Sequence, residues 1–387
     1  MNHIGFLKDF LPNKLKRQVK ELFVSTVLVN LALSMVMIFE PIYLYQIGYS
    51  LQKIILFYLI TYFVYFLIMP LGGKFARRKG YELGMLVGTI LFSIYYIGLF
   101  FIAQYSFLFF VMPLILALQK TFYWPAYHAD FARFSDDTEE GREISALTTI
   151  TASVYIIGPA LAGFIISQWG FGALFTIATI IFLISNIPTL ITKETFESKD
   201  FSYKNAYKYL ISKKNRKSFL AYLGFGEELI VLVVWPIFIS IIITDIFDLG
   251  LIVALATLVT SVITLYIGKV TDSKNRRSIL ALGSSFYSLA WFVRIFIVNQ
   301  LGVFFIDTLS RLSKNVIAVP LTAITYDRAK SRSIMGTVVF FEMSLVVGKF
   351  IAILLIYIAL FFIADQVFAF KLTFILAGGM SLLYLLL

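Results

Sequence analysis

The sequence predicts an all-α membrane protein with about twelve transmembrane helices in two related six-helix bundles. Hydrophobic residues make up 60% of the 387 positions and charged residues only 14%, which is more apolar surface than a water-soluble domain can bury. Apolar stretches recur from Leu22 to the end, and a helix of roughly 20 such residues crosses the hydrocarbon layer. Prolines and glycines also recur at a fixed distance along the chain, which predicts the two halves.

Polar breaks divide the apolar stretches into twelve predicted spans, which we number in chain order. They cover residues 22–47, 51–72, 82–103, 106–128, 143–167, 170–192, 218–243, 246–268, 278–298, 301–325, 333–362 and 366–387. The predicted organisation is a cytoplasmic segment (1–21), a six-helix bundle (22–192), a basic linker (193–217) and a second bundle (218–387). We expect span 1 to be retained, because no small-residue cleavage pattern follows it.

Basic residues concentrate in alternate loops. Twenty-six of the 33 Lys and Arg residues lie before span 1 or after an even-numbered span, within 8–20, 74–79, 133–142, 193–217, 269–277 and 328–332. We call this side the basic face and the other side the opposite face. By the positive-inside rule we expect the basic face and the N-terminus to lie in the cytoplasm. We expect the membrane to be a bacterial inner membrane. The net charge of +11 therefore indicates anionic lipid headgroups as partners, with no nucleic acid.

Landmark residues recur in order at a constant offset. Three pairs lie 195 residues apart: Pro41 with Pro236, Gly73 with Gly268, and Pro125 with Pro320. Farther along, the offset falls to 190 and pairs Arg142 with Arg332 and Gly158 with Gly348. The ordered set predicts that the chain is an internal repeat of two six-span units.

Two loops of the basic face carry a related pattern. They read Gly73-Lys74-Phe75-Ala76-Arg77-Arg78-Lys79-Gly80 and Gly268-Lys269-Val270-Thr271-Asp272-Ser273-Lys274-Asn275-Arg276-Arg277. Both resemble the G-x-x-x-D-[RK]-x-G-[RK]-[RK] loop of the major facilitator superfamily. The resemblance implies a transporter in which spans 1, 4, 7 and 10 line a central cavity and these loops latch the gate. In the second loop, Asp272 occupies the acidic position of the pattern, whereas in the first loop this position is Arg77. The first loop is therefore either a gating latch or an anchor that sets the topology.

Ionisable residues within the spans mark the candidate pathway, because each costs roughly 2.5–3.5 kcal/mol in the bilayer. The proton-coupling candidates are Glu40, Asp307 and Glu342, and the substrate-cavity candidates are Lys120, Glu227, Trp235, Arg311, Lys314 and Lys349. We expect Glu40 to pair with Arg311, and Lys120 with Glu227. Structural ion pairs between helices are the alternative interpretation of these charges.

Glu40 is the leading proton site, because Pro41 cannot donate to the carbonyl of Met37 and so opens the helix beside a carboxylate. Further kinks are predicted at Pro125, Pro159, Pro236 and Pro320. Residues 158–163 of span 5, Gly-Pro-Ala-Leu-Ala-Gly, resemble part of the G-P-x-x-G-G pattern of antiporter branches. A small-residue helix interface would give the same sequence.

We expect a proton-coupled exporter of a drug-like or metabolic compound that resembles the drug/proton antiporter-like branches. Uptake of a sugar or organic anion is the alternative, and a non-transporting sensor or membrane enzyme is the alternative of another class. The sequence has no G-x-x-x-x-G-K-[ST] loop, and His3 and His128 are too far apart for a metal cluster. We therefore expect no enzyme activity, cofactor or metal, and a monomer with a small solute, protons and lipids as partners.

Overall fold

The structure, a computed structural model, describes residues 17–134, 140–191, 201–271, 276–330 and 334–387. Within these ranges its regular elements are all helices. Ten helical segments there are long and apolar enough to cross a membrane. The all-α membrane fold predicted from the sequence is confirmed.

Two features reconcile these ten segments with twelve spans. Spans 5 and 6 form one segment, Glu140–Ile184, in which Gly170 turns the chain with a φ of 78°. Glycine adopts this positive φ without a steric cost. Span 10, Gln300–Lys330, carries Asp307, Arg311 and Lys314, which lower its hydropathy below that of a simple apolar span.

The remaining helices follow the predicted spans closely. Span 1 consists of Arg17–Val36 and Phe39–Gln46, and spans 2, 3 and 4 are Leu51–Lys79, Tyr81–Phe101 and Leu108–Phe134. Span 7 runs through Arg216–Tyr222, Leu223–Phe225, Gly226–Leu229, Ile230–Val234 and Trp235–Ile242. Span 8 is Ile246–Thr271, span 9 is Arg276–Val293 with Arg294–Phe296, span 11 is Ile334–Phe362, and span 12 is Gln366–Ser381 with Leu382–Leu386.

The glycine pair at the 190-residue offset occupies matching contacts in the two halves. A methyl group at Gly158 in span 5 would lie 2.0 Å from Ser34 Oγ in span 1. A methyl group at Gly348 in span 11 would lie 2.4 Å from the carbonyl oxygen of Leu223 in span 7. In each half, the first and fifth helices therefore approach so closely that only glycine fits.

The two bundles contact each other near both faces. Spans 5 and 8 approach where a methyl group at Gly250 would lie 2.4 Å from the carbonyl oxygen of Pro159. At the basic end, a methyl group at Gly73 in span 2 would lie 2.9 Å from Val339 Cγ2 in span 11. At the opposite end, Gln366 Nε2 donates to the Tyr45 hydroxyl at 3.0 Å.

The linker contributes a helix of its own, Tyr203–Leu210, which packs against spans 2 and 11. Pro70 in span 2 has no N–H for the carbonyl of Phe66. The Tyr207 hydroxyl lies 3.0 Å from that carbonyl oxygen and supplies the missing donor. Burial and the hydrogen-bonded Tyr203 hydroxyl raise the pKa of Tyr207, so this phenol stays protonated. The linker helix thus completes the hydrogen bonding of a transmembrane helix.

Candidate functional site

Glu40 lies in a nest of three tyrosine hydroxyls. Tyr58 of span 2 donates to Glu40 Oε1 at 2.6 Å, and Tyr95 of span 3 donates to the same oxygen at 2.7 Å. Tyr96 donates to Oε2 at 3.0 Å. Glu40 is 7% exposed. We call these four residues the Glu40 nest. Phenols stabilise this carboxylate, and no basic side chain lies within 4.0 Å of it in the described part of the chain.

Local structure brings Glu40 and its three tyrosine partners together. Span 1 is interrupted at Met37 and Ile38, immediately before the short helix that carries Glu40 and Pro41. The Tyr96 ring is stacked on Phe182, with centroids 5.8 Å apart and planes at 5°. The short helix carries the Glu40 carboxylate to spans 2 and 3, and the stacked ring of Phe182 supports the Tyr96 ring whose hydroxyl donates to it.

Asp307 of span 10 anchors a second group, the Asp307 cluster, with Arg311, Trp235 and Arg294. Arg311 Nε donates to Asp307 Oδ2 at 2.7 Å, and Trp235 Nε1 donates to Oδ1 at 3.2 Å. Arg294 Nη2 lies 3.8 Å from Oδ1. Asp307 is 3% exposed. One carboxylate is therefore shared by two guanidinium groups, and the cluster carries a net positive charge.

Arg294 is held between two indole rings. Its guanidinium carbon lies 4.2 Å from the ring centroid of Trp235 and 3.8 Å from that of Trp291. Both distances fall within the range of cation–π attraction. Arg294 was not predicted as a site residue from the sequence, because it lies near the end of span 9, where a basic residue usually anchors a helix. The contact also occupies a face of Trp235 that was expected to meet solute.

Glu227 of span 7 is fully buried and receives three donors. Lys314 Nζ contacts its Oε1 oxygen, Tyr384 donates to the same oxygen at 2.9 Å, and Tyr287 donates to Oε2 at 2.6 Å. Lys314 also donates to the Tyr384 hydroxyl at 2.9 Å. These residues form a closed network within the C-terminal bundle that joins spans 7, 9, 10 and 12.

A third group lies between the bundles. Lys349 Nζ of span 11 contacts Glu228 Oε2 at 2.6 Å. The same ammonium lies 5.6 Å from the ring centroid of Tyr62 in span 2. Lys120 Nζ of span 4 also lies 5.6 Å from the Tyr62 ring. A single phenol ring is thus approached by one lysine from each bundle.

Glu342 of span 11 connects the bundles nearer the basic face. His128 Nε2 of span 4 lies 3.1 Å from Glu342 Oε1, and the Tyr65 hydroxyl of span 2 donates to Oε2 at 3.0 Å. Glu342 belongs to the C-terminal bundle, and both of its partners belong to the N-terminal bundle. Any separation of the bundles at this point would break these contacts.

The two ion pairs expected from the sequence do not form. Arg311 was expected to reach Glu40, but it binds Asp307 one helical turn away, where the backbone already holds the partners close. Lys120 was expected to reach Glu227, but Lys314 takes that carboxylate. The spacing of residues along one helix predicts which of them share a face. Which residue of a neighbouring helix they contact depends on how each helix is rotated about its own axis.

Tyrosines supply much of the site, and none of them was predicted as a site residue from the sequence. Tyr58, Tyr62 and Tyr65 lie at i, i+4 and i+7 on span 2, a spacing that places them on one helix face. Each contacts a different part of the site: Glu40, the two lysines and Glu342, respectively. This tyrosine stripe was the available signal, because polar aromatic residues at helical spacing within a span need a partner.

The family model of the Major Facilitator Superfamily matches residues 22–244 of the chain. This chain belongs to the major facilitator superfamily. The match covers more than half of the chain and extends from span 1 through span 7. No curated protein shows significant similarity to the chain. Membership makes the protein a membrane transporter.

The superfamily loop pattern is only partly within the described residues. Gly80 has a φ of 113° and separates the helices of spans 2 and 3, and Arg77 Nη1 donates to the Tyr81 hydroxyl at 3.3 Å. Gly268 falls within the span 8 helix, and Arg276 and Arg277 begin span 9. Asp272 and residues 1–16 lie outside the described residues.

The prolines chosen as kinks differ in their surroundings. Pro41 follows the interruption of span 1, and Pro236 follows a π-helical segment, Ile230–Val234. π-Helical turns within α-helices often occur at functional sites. By contrast, Pro125, Pro159 and Pro320 lie inside continuous helices. The paired irregularities in spans 1 and 7 therefore fall at the corresponding positions of the two superfamily halves.

Proposed function

We propose that the chain is a proton-coupled transporter that moves a small solute by alternating access, with Glu40 as the protonation site. The observation that carries this proposal is the difference between Glu40 and four other buried or half-buried acids. Asp307, Glu227, Glu228 and Glu342 each contact a basic side chain. Within the described residues, the hydrogen bonds that Glu40 receives come from phenol hydroxyls alone.

Glu40 can bind and release a proton while its hydrogen bonds to the surrounding tyrosines remain. A buried charge without a counter-charge is expensive in the bilayer, and protonation removes that cost. The carboxyl group then still accepts hydrogen bonds from phenols, whose hydroxyls serve as both donors and acceptors. At an ion-paired acid such as Asp307, protonation would instead leave a buried arginine uncompensated.

The contacts between the bundles support alternating access. Glu342 binds His128 and Tyr65 near the basic face, and Gln366 binds Tyr45 at the opposite face. Each contact joins one bundle to the other. Breaking them in turn would open the central site first to one face and then to the other.

The span 5 glycines do not bear on the direction of transport. Gly158 fits against span 1, and a methyl group at Gly163 would lie 2.8 Å from the carbonyl oxygen of Ile246 in span 8. Helix packing accounts for both residues without an antiporter role. The expectation of export has no further support from this segment.

Flux measurements in proteoliposomes test the role of Glu40. A panel of solutes is screened under an imposed pH gradient, and the transported solute is then followed in Glu40→Gln. We expect accumulation driven by the gradient to be abolished, while solute exchange at equal pH on both sides persists. The control is Asp248→Asn, which removes an exposed acid near the opposite face. Undiminished gradient-driven accumulation in Glu40→Gln would overturn the proposal.

A further inference from the structure

The charged side chains of the central spans leave one cation without a carboxylate. Arg294 and Arg311 face Asp307, Lys314 faces Glu227, and Lys349 faces Glu228. In the described part of the chain, Lys120 has no carboxylate within 4.0 Å, and its ammonium lies over the Tyr62 ring. An unpaired ammonium inside the bilayer is costly and marks an ion or substrate pathway.

We propose that Lys120, Tyr62 and Lys349 bind the anionic group of the transported solute, and that the anion and the proton bind together. This inference rests on the proposed proton-coupled transport and deepens it. The solute class is an organic monoanion with a carboxylate group. A lysine ammonium recognises this group as a point charge.

The geometry places this anion site between the bundles. Lys120 belongs to the N-terminal bundle and Lys349 to the C-terminal bundle, and each ammonium lies 5.6 Å from the Tyr62 ring centroid. That distance is near the outer limit of cation–π attraction, about 6 Å, so the ring holds the ammonium groups weakly. Glu228 already offsets the charge of Lys349, and the site therefore has one net positive charge, which matches a monoanion.

The same contacts disfavour a cationic solute. The two Glu40 oxygens accept three phenol hydroxyls. Arg294 covers a face of the Trp235 ring. The carboxylate and the indole that would attract a cation are both engaged by the protein itself, whereas Lys120 is available to an anion.

Proton binding and anion binding favour each other at this site. Tyr58, which donates to Glu40, lies one helical turn from Tyr62, whose ring Lys120 approaches, so ionised Glu40 offsets the charge of Lys120 at longer range. Protonation of Glu40 removes this offset and leaves Lys120 to attract an anion. Linkage makes the effect reciprocal. One proton and one anion, which together carry no net charge, then cross the membrane in the same direction. This mode of transport is symport.

The groups that face Glu40 are consistent with a single protonation site. They are Tyr58 from span 2 and Tyr95 and Tyr96 from span 3. Lys120 of span 4 lies over the neighbouring Tyr62 ring, and Tyr43, on the same helix as Glu40, donates to the Phe100 carbonyl oxygen. The packed segments of span 7, Ile230–Val234 and Trp235–Ile242, carry no titratable side chain. Phenol and ammonium groups ordinarily titrate at about pH 10, so among these groups the carboxyl is the one that gains a proton as the medium becomes acidic.

Ligand-induced thermal stabilisation of the purified full chain tests the anion site. The probes are three matched sets, each an anion, its amide and an ammonium analogue: benzoate, benzamide and benzylammonium; butyrate, butyramide and butylammonium; gluconate, gluconamide and glucosamine. Unfolding is followed by tryptophan fluorescence. We expect at least one carboxylate to stabilise the protein more than its amide and ammonium partners. Its affinity should be about tenfold tighter at acidic than at alkaline pH, a common size for coupling between two sites.

Variants assign the effect to residues. Lys120→Met should abolish the carboxylate effect, and Lys120→Arg should retain it. Lys53→Met is the matched control, because Lys53 is an exposed lysine over the Tyr49 ring. Glu40→Gln should bind the carboxylate without pH dependence.

Two results would overturn the anion site: no carboxylate is preferred over its neutral and cationic partners, or Lys120→Met binds as wild type does. Persistent pH dependence in Glu40→Gln would overturn the joint binding of proton and anion. Failure of the proposed proton coupling is distinguishable, since it appears as undiminished gradient-driven flux in Glu40→Gln while Lys120-dependent anion binding remains.

Discussion

The two bundles hold different chemistry at corresponding positions. At the 195-residue offset, Glu40 corresponds to Trp235 and Tyr96 corresponds to Trp291. In the N-terminal bundle, this location is an acid surrounded by phenols. In the C-terminal bundle, it is an arginine between two indoles, beside an aspartate. The same helical arrangement therefore presents a carboxylate held by phenols in one bundle and an aspartate paired with two guanidinium groups in the other.

This difference teaches where a proton can act. Charges that compensate each other inside a membrane protein are costly to separate, because the remaining partner is left unpaired. A carboxylate that is held by hydroxyl groups can lose its charge and keep its hydrogen bonds. The C-terminal clusters are accordingly suited to a fixed role, and the Glu40 nest is suited to a cycle.

The largest effect is expected in the C-terminal bundle. Lys314→Met should lower the free energy of unfolding by about 3–5 kcal/mol, because it leaves the buried Glu227 carboxylate without a counter-charge. Chemical denaturation of the purified protein measures the loss. Lys371→Met, which removes a partly exposed lysine, should change stability little. The double variant with Glu227→Gln should recover most of the loss, and failure to recover would contradict the ion-pair explanation.

A smaller effect is expected for the stacked arginine. Arg294→Met should cost about 2 kcal/mol through lost cation–π contacts, since Asp307 keeps Arg311 and the Trp235 N–H as partners. Tryptophan emission should shift as the indoles lose the guanidinium. Arg294→Lys should not restore stability, because an ammonium cannot stack as a planar guanidinium does. A loss as large as that of Lys314→Met would show that Asp307 depends mainly on Arg294.

The smallest effect is expected in the Glu40 nest. Tyr95→Phe should cost about 0.5–1.5 kcal/mol, the usual contribution of one hydrogen bond, because Tyr58 and Tyr96 continue to donate to Glu40. The same denaturation assay compares it with Tyr105→Phe, which alters an exposed tyrosine. A loss comparable to that of Lys314→Met would break the distinction between the bundles.

The sequence was sufficient for properties that one helix determines by itself. Apolar length defined the spans, and the spacing of Asp307 and Arg311 placed them on one face, where they are hydrogen-bonded. The pairing of Gly158 with Gly348 indicated the repeat, and both glycines occupy close contacts between the first and fifth helices of their halves.

Contacts between helices were harder to predict, because they depend on rotation about each helix axis. Glu40 and Arg311 were paired from similar depth, but depth does not determine which residue of a neighbouring helix is nearest. Arg294 was overlooked for a related reason. A basic residue near a helix end resembles an interfacial anchor until the indoles packed around it are known.

The hydrogen bond between Tyr207 and the carbonyl of Phe66 has a consequence for biosynthesis. Because the chain is synthesised from its N-terminus, the Phe66 carbonyl is made 141 residues ahead of Tyr207, the donor that satisfies it. The N-terminal bundle is complete only when the segment that follows it has folded back. The linker helix therefore does more than connect the two bundles. It is synthesised after the N-terminal bundle and supplies a hydrogen bond that this bundle lacks without it.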